Sequence, residues 1–304
     1  MTRLPGIYAR GMAMGAADLV PGVSGGTIAF ITGIYEELVE TLAGIRPSLL
    51  GIWWREGTAA FWRAGNFGFL LALFAGLVTS VVLFAGLLSW LLQHYPIPLW
   101  AFFSGLIAAS IPLVLRPVGW RRPVVPLMLI PGVALAAWIS LQPGLGELGN
   151  APWIFFASGA LAICAMILPG ISGSFILVLL GMYAAVLAAL EAGDWLRVGA
   201  FVTGIICGLL AFVQLLRWLL HRWHDAVLAL MAGFMGGALV KVWPWQWAAP
   251  ETAAERPVLP ATYAQLTGEP ALLVPALAAL PLGVMAAWLL SRAETVHNNR
   301  GAKG

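Results

Sequence analysis

The fold of this chain can be worked out from two short motifs, Asp18-Leu-Val-Pro-Gly-Val-Ser-Gly-Gly-Thr27 and Met166-Ile-Leu-Pro-Gly-Ile-Ser-Gly-Ser174. Each motif carries Pro-Gly-x-Ser-Gly in the middle of a strongly apolar segment. Proline lacks a backbone donor and pushes the preceding residue out of helical conformation, so a helix breaks there. The sequence therefore predicts two helices that the same motif interrupts.

The composition around these motifs is that of a membrane protein. Of 304 residues, 61% are hydrophobic and 10% are charged, and the mean hydropathy is +0.91. Soluble domains carry about 25% charged residues, and disordered chains combine low hydrophobicity with high charge, so both classes are excluded. The net charge of +3 is too small to indicate a nucleic-acid partner. Cys164 and Cys207 lie in apolar runs without disulfide or metal-site spacing, and we expect the N-terminus, which lacks a signal peptide, to be the mature end.

The chain contains two copies of one unit. A shift of 148 residues aligns residues 21–35 with residues 169–183, with seven identities in fifteen positions, where chance gives roughly one. A shift of 128 aligns Gly76 with Gly204, and a fainter match appears at a shift of 150. Because the shift falls from 148 to 128, the first unit is expected to contain a longer loop, around residues 41–65.

These units predict an all-α polytopic membrane protein made of two inverted repeats, residues 1–150 and 151–304. Each repeat is predicted to begin with a re-entrant helical hairpin, at 6–39 and at 151–190, because each interrupted segment is too long for one span. Residues 40–65 mix Trp with Arg and predict an amphipathic helix in the membrane interface. Uninterrupted apolar segments of about twenty residues predict spans at 66–92, 98–116, 122–141, 196–220, 226–243 and 270–291.

The basic residues predict the orientation. If each hairpin returns to its own side and both termini are cytoplasmic, thirteen of the sixteen Arg and Lys residues lie inside, as short cytoplasmic loops require. Only Arg197, Lys241 and Arg256 then lie outside. If each unit crosses the membrane an odd number of times, the two units have opposite orientations in the membrane. The two hairpins are then expected to enter from opposite faces and to meet near the midplane, as in many secondary transporters. The charges leave open whether each hairpin is re-entrant or fully spanning.

The two motif tips are the predicted binding site. Their glycines leave backbone N–H groups uncovered, and their hydroxyl groups can cap the half-helix that follows. A helix N-terminus with free amides is partly positive and binds anions, phosphate above all. Close packing through small residues is the alternative explanation. The predicted phosphate-binding residues are Gly22, Ser24, Gly25, Gly26, Thr27, Gly170, Ser172, Gly173, Ser174 and Arg10.

Two acidic residues are candidates for carrying a proton or binding a cation. Asp18 ends the first half-helix, and intramembrane carboxylates are functional candidates by default. A structural ion pair, a cap, or pairing with Arg10 are its alternative roles. Glu36 follows the repeated Gly-x-Tyr, where a solvated helix end is the alternative. No metal site or cofactor is predicted, because the histidines lie in predicted loops or the tail: His94, His221, His224 and His297.

These motifs resemble those of a bacterial family. Residues 15–27, Gly33-Ile-Tyr35 and residues 168–174 are similar to the polyprenyl-phosphate transporters (PopT), formerly a domain of unknown function, and the resemblance covers essentially the whole chain. It implies a flippase of the bacterial cytoplasmic (inner) membrane that returns undecaprenyl phosphate to the cytoplasmic leaflet for recycling in cell-wall peptidoglycan synthesis. The opposed tips suit that task, because they can hold the phosphate while the tail stays in lipid, and rocking of the repeats alternates access.

Two other functions are left open. Pro-Gly-x-Ser also resembles part of the active-site motif of undecaprenyl-pyrophosphate phosphatases, but an arginine follows the serine in that family, whereas Gly25 and Gly173 follow it here. A carrier or channel for a small anion or ion is the second alternative, because the tips alone do not require a lipid. We expect a transporter, not an enzyme. Homodimerisation and proton or cation coupling through Asp18 or Glu36 stay open.

Overall fold

The chain forms helices that break where its proline and glycine clusters lie. The computed structural model describes residues 4–20, 23–142, 149–248 and 255–301, and for 293–301 the helix backbone alone. The first half contains α1 (Leu4–Asp18), α2 (Gly25–Ile31), α3 (Tyr35–Gly44), α4 (Ser48–Glu56), α5 (Thr58–Ala64), α6 (Phe67–His94), α7 (Pro96–Leu115) and α8 (Val124–Ser140). The second half contains α9 (Pro152–Ile167), α10 (Gly173–Leu179), α11 (Tyr183–Glu191), α12 (Trp195–Ala238), the antiparallel pair β1 (Gln246–Ala248) and β2 (Glu255–Pro257), α13 (Pro260–Thr267) and α14 (Leu273–Gly301).

The long apolar helices make this a multi-pass membrane protein. Within the described ranges, α6, α7, α12 and the 273–292 part of α14 are long and apolar enough to cross a membrane, and α8 and α9 are shorter apolar helices. At 1.5 Å per residue α12 would be about 66 Å long, twice the thickness of a hydrocarbon core. Its backbone is non-helical at Trp223, so α12 consists of two segments. The predicted spans 196–220 and 226–243 fall on these segments, although the second segment ends at Ala238.

Glycines allow helices within each half to touch backbone to backbone. A Cβ on Gly76 of α6 would collide with the carbonyl oxygen of Tyr8 in α1, and a Cβ on Gly204 of α12 would collide with that of Phe156 in α9. The two contacts correspond through the repeat shifts, 156 − 8 = 148 and 204 − 76 = 128. Lipid tails are as apolar as the helix surfaces, so such close packing is what favours helix association.

Two further helix pairs join the halves to each other. A Cβ on Gly283 of α14 would collide with the carbonyl of Phe102 in α7, and a Cβ on Gly132 of α8 would lie 2.5 Å from the carbonyl oxygen of Leu230 in α12. These contacts also correspond, since 283 − 132 = 151 and 230 − 102 = 128. The structure therefore relates α8 to α14 by a shift of 151, one residue more than the shift of 150 at which their sequences match.

One end of the molecule collects many of the ionic contacts, and we call it the basic face. It comprises α4, α5, the α7–α8 connection and the break in α12. There Arg217 pairs with Glu40 of α3 (2.8 Å), and Arg122 pairs with Asp225. The other end, the hairpin face, carries β1, β2, α13 and the start of α12.

The segment predicted as one amphipathic helix over 40–65 is divided. It contains the end of α3 and the two short helices α4 and α5, which break at Gly57, a left-handed residue with a φ of 85°. Trp53, Trp54 and Trp62 are exposed along these helices. The prediction of a single helix is wrong because the left-handed conformation at Gly57 cannot continue an α-helix.

The glycine contacts can be tested within one helix. Gly76→Ala should lower the melting temperature, because overpacking costs about 1–3 kcal/mol and the obstacle here is backbone. Gly86→Ala is the matched control, since nothing lies within 4 Å of a Cβ at that exposed position of α6. Thermal unfolding in detergent, followed by tryptophan fluorescence, compares the two. Equal melting temperatures for both variants would contradict the packing described.

Candidate functional site

The first motif tip has its amide groups occupied. Ser24 caps α2 by accepting a hydrogen bond from the N–H of Gly26 (3.1 Å), and the N–H of Thr27 donates to the Ser24 carbonyl (3.0 Å). The N–H of Gly25 donates to Oδ1 of Asp18 (2.6 Å). The expectation of free amides at this tip is therefore wrong for these three groups, because the protein supplies its own acceptors.

Asp18 acts as a second cap of α2. It is the last residue of α1, where the helix dipole disfavours a carboxylate, but its side chain lies against the N-terminus of α2, where the dipole favours one. A Cβ at position 25 would lie 2.5 Å from Oδ2 of Asp18, so only glycine allows this approach. Of the alternatives considered for Asp18, the cap is the one observed. Arg10 lies eight residues earlier in α1, about 12 Å along the helix axis, and is half-buried.

The two tips touch each other. The Ser24 hydroxyl donates to the carbonyl of Leu168 (3.3 Å), and the Tyr35 hydroxyl donates to the carbonyl of Ile167 (3.2 Å). Ile167 and Leu168 end α9, where the last carbonyls of a helix have no partner within the helix. Side chains of the first half therefore supply donors for the broken end of a helix in the second half.

The second tip is arranged differently. Ser172 precedes α10 without capping it, because its hydroxyl shares a hydrogen bond with that of Ser174 (2.9 Å). Among the described residues, no acceptor is found for the N–H groups of Gly173 and Ser174. The second tip thus keeps the free helix N-terminus that was expected of both tips. Its position is set by Gly170, which has a φ of 85° and whose Cβ would lie 2.7 Å from Cα of Met235 in α12.

Lys241 lies beside this second tip, although it is not among the residues that the motifs predict. Its Nζ is 5.0 Å from the ring centroid of Phe175, and Lys241 lines a cavity of about 10 Å³ together with Ser140 and Ser172. This volume holds about one water-sized group. Lys241 also pairs with Glu255 (2.6 Å). The sequence signal for it was a basic residue inside the predicted span 226–243, a costly and therefore informative position.

A larger cavity of about 560 Å³ opens near the basic face. It is lined by the end of α2, the start of α3 and the end of α7, and Tyr35 lies in its wall. Glu36 and Arg116 are the charged residues that line it. Glu36 is bonded to Nε2 of His224 (3.0 Å), so it belongs to the basic face, whereas Asp18 belongs to the first tip. The two acidic candidates do not form one site.

The remaining predicted residues are distributed as follows. Gly22 lies outside the described residues. Thr27 is fully buried, and its Oγ1 has no hydrogen-bond partner among the described residues.

Across the described ranges no group of three His, Cys, Asp or Glu side chains could hold a metal ion.

A helical multi-pass assembly with two broken helices that meet in its interior is an arrangement that many membrane transporters share. A family model described as undecaprenyl phosphate translocase-like matches residues 14–256. A relative from Vibrio cholerae named "Polyprenyl-phosphate transporter" is 46% identical over 272 residues, covering 86% of this chain and 88% of the relative. A relative of the same name from Staphylococcus aureus is 32% identical over 252 residues, covering 77% and 84%.

The chain therefore belongs to the undecaprenyl phosphate translocase-like family, which confirms the resemblance seen in its motifs. Like these relatives, it is a transporter and not an enzyme. No solved structure matches it.

The pair between His224 and Glu36 predicts a pH-dependent contribution to stability. Partial burial lowers the pKa of His224, but the carboxylates of Glu36 and Asp225 together raise it by more than burial lowers it. The net pKa of His224 therefore lies above its ordinary value of 6.5. A raised pKa in the folded state means that the stabilisation is full below about pH 6.5 and is lost as the pH rises through the folded-state pKa.

Glu36→Gln should therefore lower the melting temperature at pH 6 and have no effect at alkaline pH. The difference should be about 2 °C or less, because the pair is exposed. Glu56→Gln, an exposed acid of α4 on the same face, is the control. A Glu36→Gln difference that does not change with pH would contradict the assignment.

Proposed function

We propose that this protein is a flippase for polyprenyl phosphates, undecaprenyl phosphate among them. It returns the lipid carrier from the outer to the cytoplasmic leaflet of the inner membrane, where cell-wall synthesis uses it again. The observation that carries the proposal is the free N-terminus of α10 beside Lys241, in a family whose relatives are named polyprenyl-phosphate transporters. A phosphate head needs a cationic, hydrogen-bonding pocket, while the polyprenyl tail can remain in lipid.

In this conformation the second tip is the one that offers donors to a phosphate. The N–H groups of Gly173 and Ser174 supply donors, and the hydroxyl groups of Ser172 and Ser174 can rotate towards the anion. Lys241 contributes the charge. The cavity of about 10 Å³ is smaller than a phosphate group, so the head group binds after a small opening of this tip.

The contacts between the two tips run from the first half to the second half only, and this asymmetry supports alternating access. At a shift of 148 the counterpart of the Ser24–Leu168 bond is Ser172–Val20, but Ser172 bonds to Ser174 instead. The counterpart of Tyr35 is Tyr183, which is 45% exposed and has no such bond among the described residues. We propose that transport exchanges the roles of the tips, so that the second tip is capped and the first is free in the other state.

We propose that the two halves are inverted repeats with re-entrant hairpins, an architecture in which the two tips can exchange their roles. A Cβ on Gly15 of α1 would contact Ser80, the fourteenth residue of the 28-residue helix α6, so the first tip lies near mid-depth. A Cβ on Gly208, the fourteenth residue of α12, would contact Ala160 of α9 in the same way. The Asn66 side chain donates to Glu37 (3.2 Å), which supports a return of α3 to the side where α6 begins. We assign the basic face and both termini to the cytoplasm.

Asp18 couples the exchange to a proton or cation. Its carboxylate and a phosphate group would compete for the same N–H of Gly25, and two anions cannot share the N-terminus of α2. Protonation of Asp18, or a cation bound to it, is therefore needed before the first tip accepts the head group. Glu36 is held by His224 and is not given this role.

Binding of a polyprenyl phosphate to variants of the second tip tests the function. Lys241→Gln should weaken binding of farnesyl phosphate about tenfold, because a charged hydrogen bond is lost. Ser24→Ala combined with Ser172→Ala should also weaken binding. Arg256→Gln, an exposed cation on the same hairpin face, is the control. Binding that is unchanged in all variants would remove the tips from the site, and equal affinity for inorganic phosphate would favour a small-anion carrier.

The exchange of tip contacts has its own test. Tyr35→Phe removes the bond to Ile167 that closes this state, so it should shift the population about fivefold for a loss of ~1 kcal/mol. The readout is the rate at which maleimide labels a cysteine introduced by Ser140→Cys in the small cavity beside Lys241, with Cys164 and Cys207 replaced by alanine. Tyr183→Phe is the control, because Tyr183 makes no such bond in this state. Equal labelling rates for the two variants would argue against the exchange.

A further inference from the structure

We propose that Arg116 receives the phosphate head group on the basic face, inside the cavity of about 560 Å³. The proposal rests on the proposed function and adds a second, separate head-group position. It is carried by the cavity, by a cation in its wall that forms no ion pair with a described side chain, and by a serine position that this cavity shares with the cavity beside Lys241.

The cavity has the size and lining that a lipid phosphate requires. Ligand pockets for small molecules have volumes of about 300–1,000 Å³ and are mostly apolar with a few polar groups. Phe30, Ile31, Leu113 and Leu228 supply apolar wall, against which the first isoprene units can pack. The hydroxyl of Ser291 lies in the same wall.

Arg116 is the charge left over at this cavity. It follows the last residue of α7, is exposed, and forms no ion pair with any side chain that the structure describes. The neighbouring acid Glu36 is bonded to Nε2 of His224, and Asp225 is held by Arg122. A guanidinium group can hold a phosphate through two parallel hydrogen bonds.

The two cavities share one equivalent position in their walls. Ser291 lines the basic-face cavity, and Ser140 lines the small cavity at Lys241. These serines correspond at the shift of 151 that the α8 and α14 contacts define, since 291 − 140 = 151. Each cavity therefore has one serine at an equivalent position and one basic residue. The head group passes from Lys241 on one face to Arg116 on the other.

Arg116 and Lys241 do not align with each other when the two repeats are compared. At the shift of 128 that relates α7 to α12, the counterpart of Arg116 is Pro244 and not Lys241. The two basic residues lie three positions apart in the aligned repeats, and each is found through the cavity that it lines.

The test measures farnesyl phosphate binding and its transport in proteoliposomes. Arg116→Gln should weaken binding at the basic face about tenfold and slow delivery to that leaflet, whereas Arg116→Lys should recover part of both. Arg121→Gln is the matched control, since Arg121 is an exposed cation of the same α7–α8 connection that does not line the cavity. If Arg116→Gln and Arg121→Gln behave alike, Arg116 is only a surface anchor and the inference is overturned.

A protection experiment keeps the test valid if Arg116→Gln is less stable. Leu113→Cys introduces a thiol into the cavity wall, in a background with Cys164 and Cys207 replaced by alanine. Farnesyl phosphate should slow maleimide labelling of this thiol, and the slowing should be lost when Arg116→Gln is added. Protection that is independent of Arg116 would contradict the inference alone. If the unmodified protein neither binds nor moves farnesyl phosphate, the proposed function itself fails.

Discussion

A broken helix in an apolar interior must find partners for its open ends, and the contact between the tips is how this protein meets that requirement. The last carbonyls of α9 accept hydrogen bonds from Ser24 and Tyr35, while Asp18 and Ser24 occupy the first amides of α2. Water cannot supply these bonds in a hydrocarbon core, so each half depends on donors and acceptors that are brought to it. This dependence holds the two tips together.

The helices around the tips form a rigid frame. Glycine contacts bring α1 against α6 and α9 against α12, and they join α7 to α14 and α8 to α12 across the halves. The segments near the tips are short, and α10 and α11 meet at an angle of 98°. In the proposed transport cycle, this frame of close-packed helices around short, bent segments confines the movement to the tips. The proposed binding groups would then change partners while the pairs of spanning helices stay intact.

The charges are distributed along the axis that a phosphate head would follow. Lys241 lies beside the free end of α10, the two tips occupy the interior, and Arg116 lines the cavity near the basic face. At the basic face Glu36 is paired with His224, and Glu40 is paired with Arg217. An exposed guanidinium group in a cavity wall is a physical basis for attracting an anion without a large net charge.

The order of residues alone was sufficient for the membrane class, the repeat, the positions of both breaks and the family, because hydropathy and proline–glycine chemistry are local properties. It was not sufficient for the state of the two tips, although their motifs are nearly identical. Ser24 is a cap, whereas the Ser172 hydroxyl is bonded to that of Ser174. Asp18 has Met166 as its counterpart, and Tyr35 reaches α9 while Tyr183 makes no such bond among the described residues. Only the tertiary structure decides such differences, since they depend on which groups from distant parts of the chain arrive at each tip. The same reason explains why Lys241 and Arg116 were found through their cavities and not through a motif.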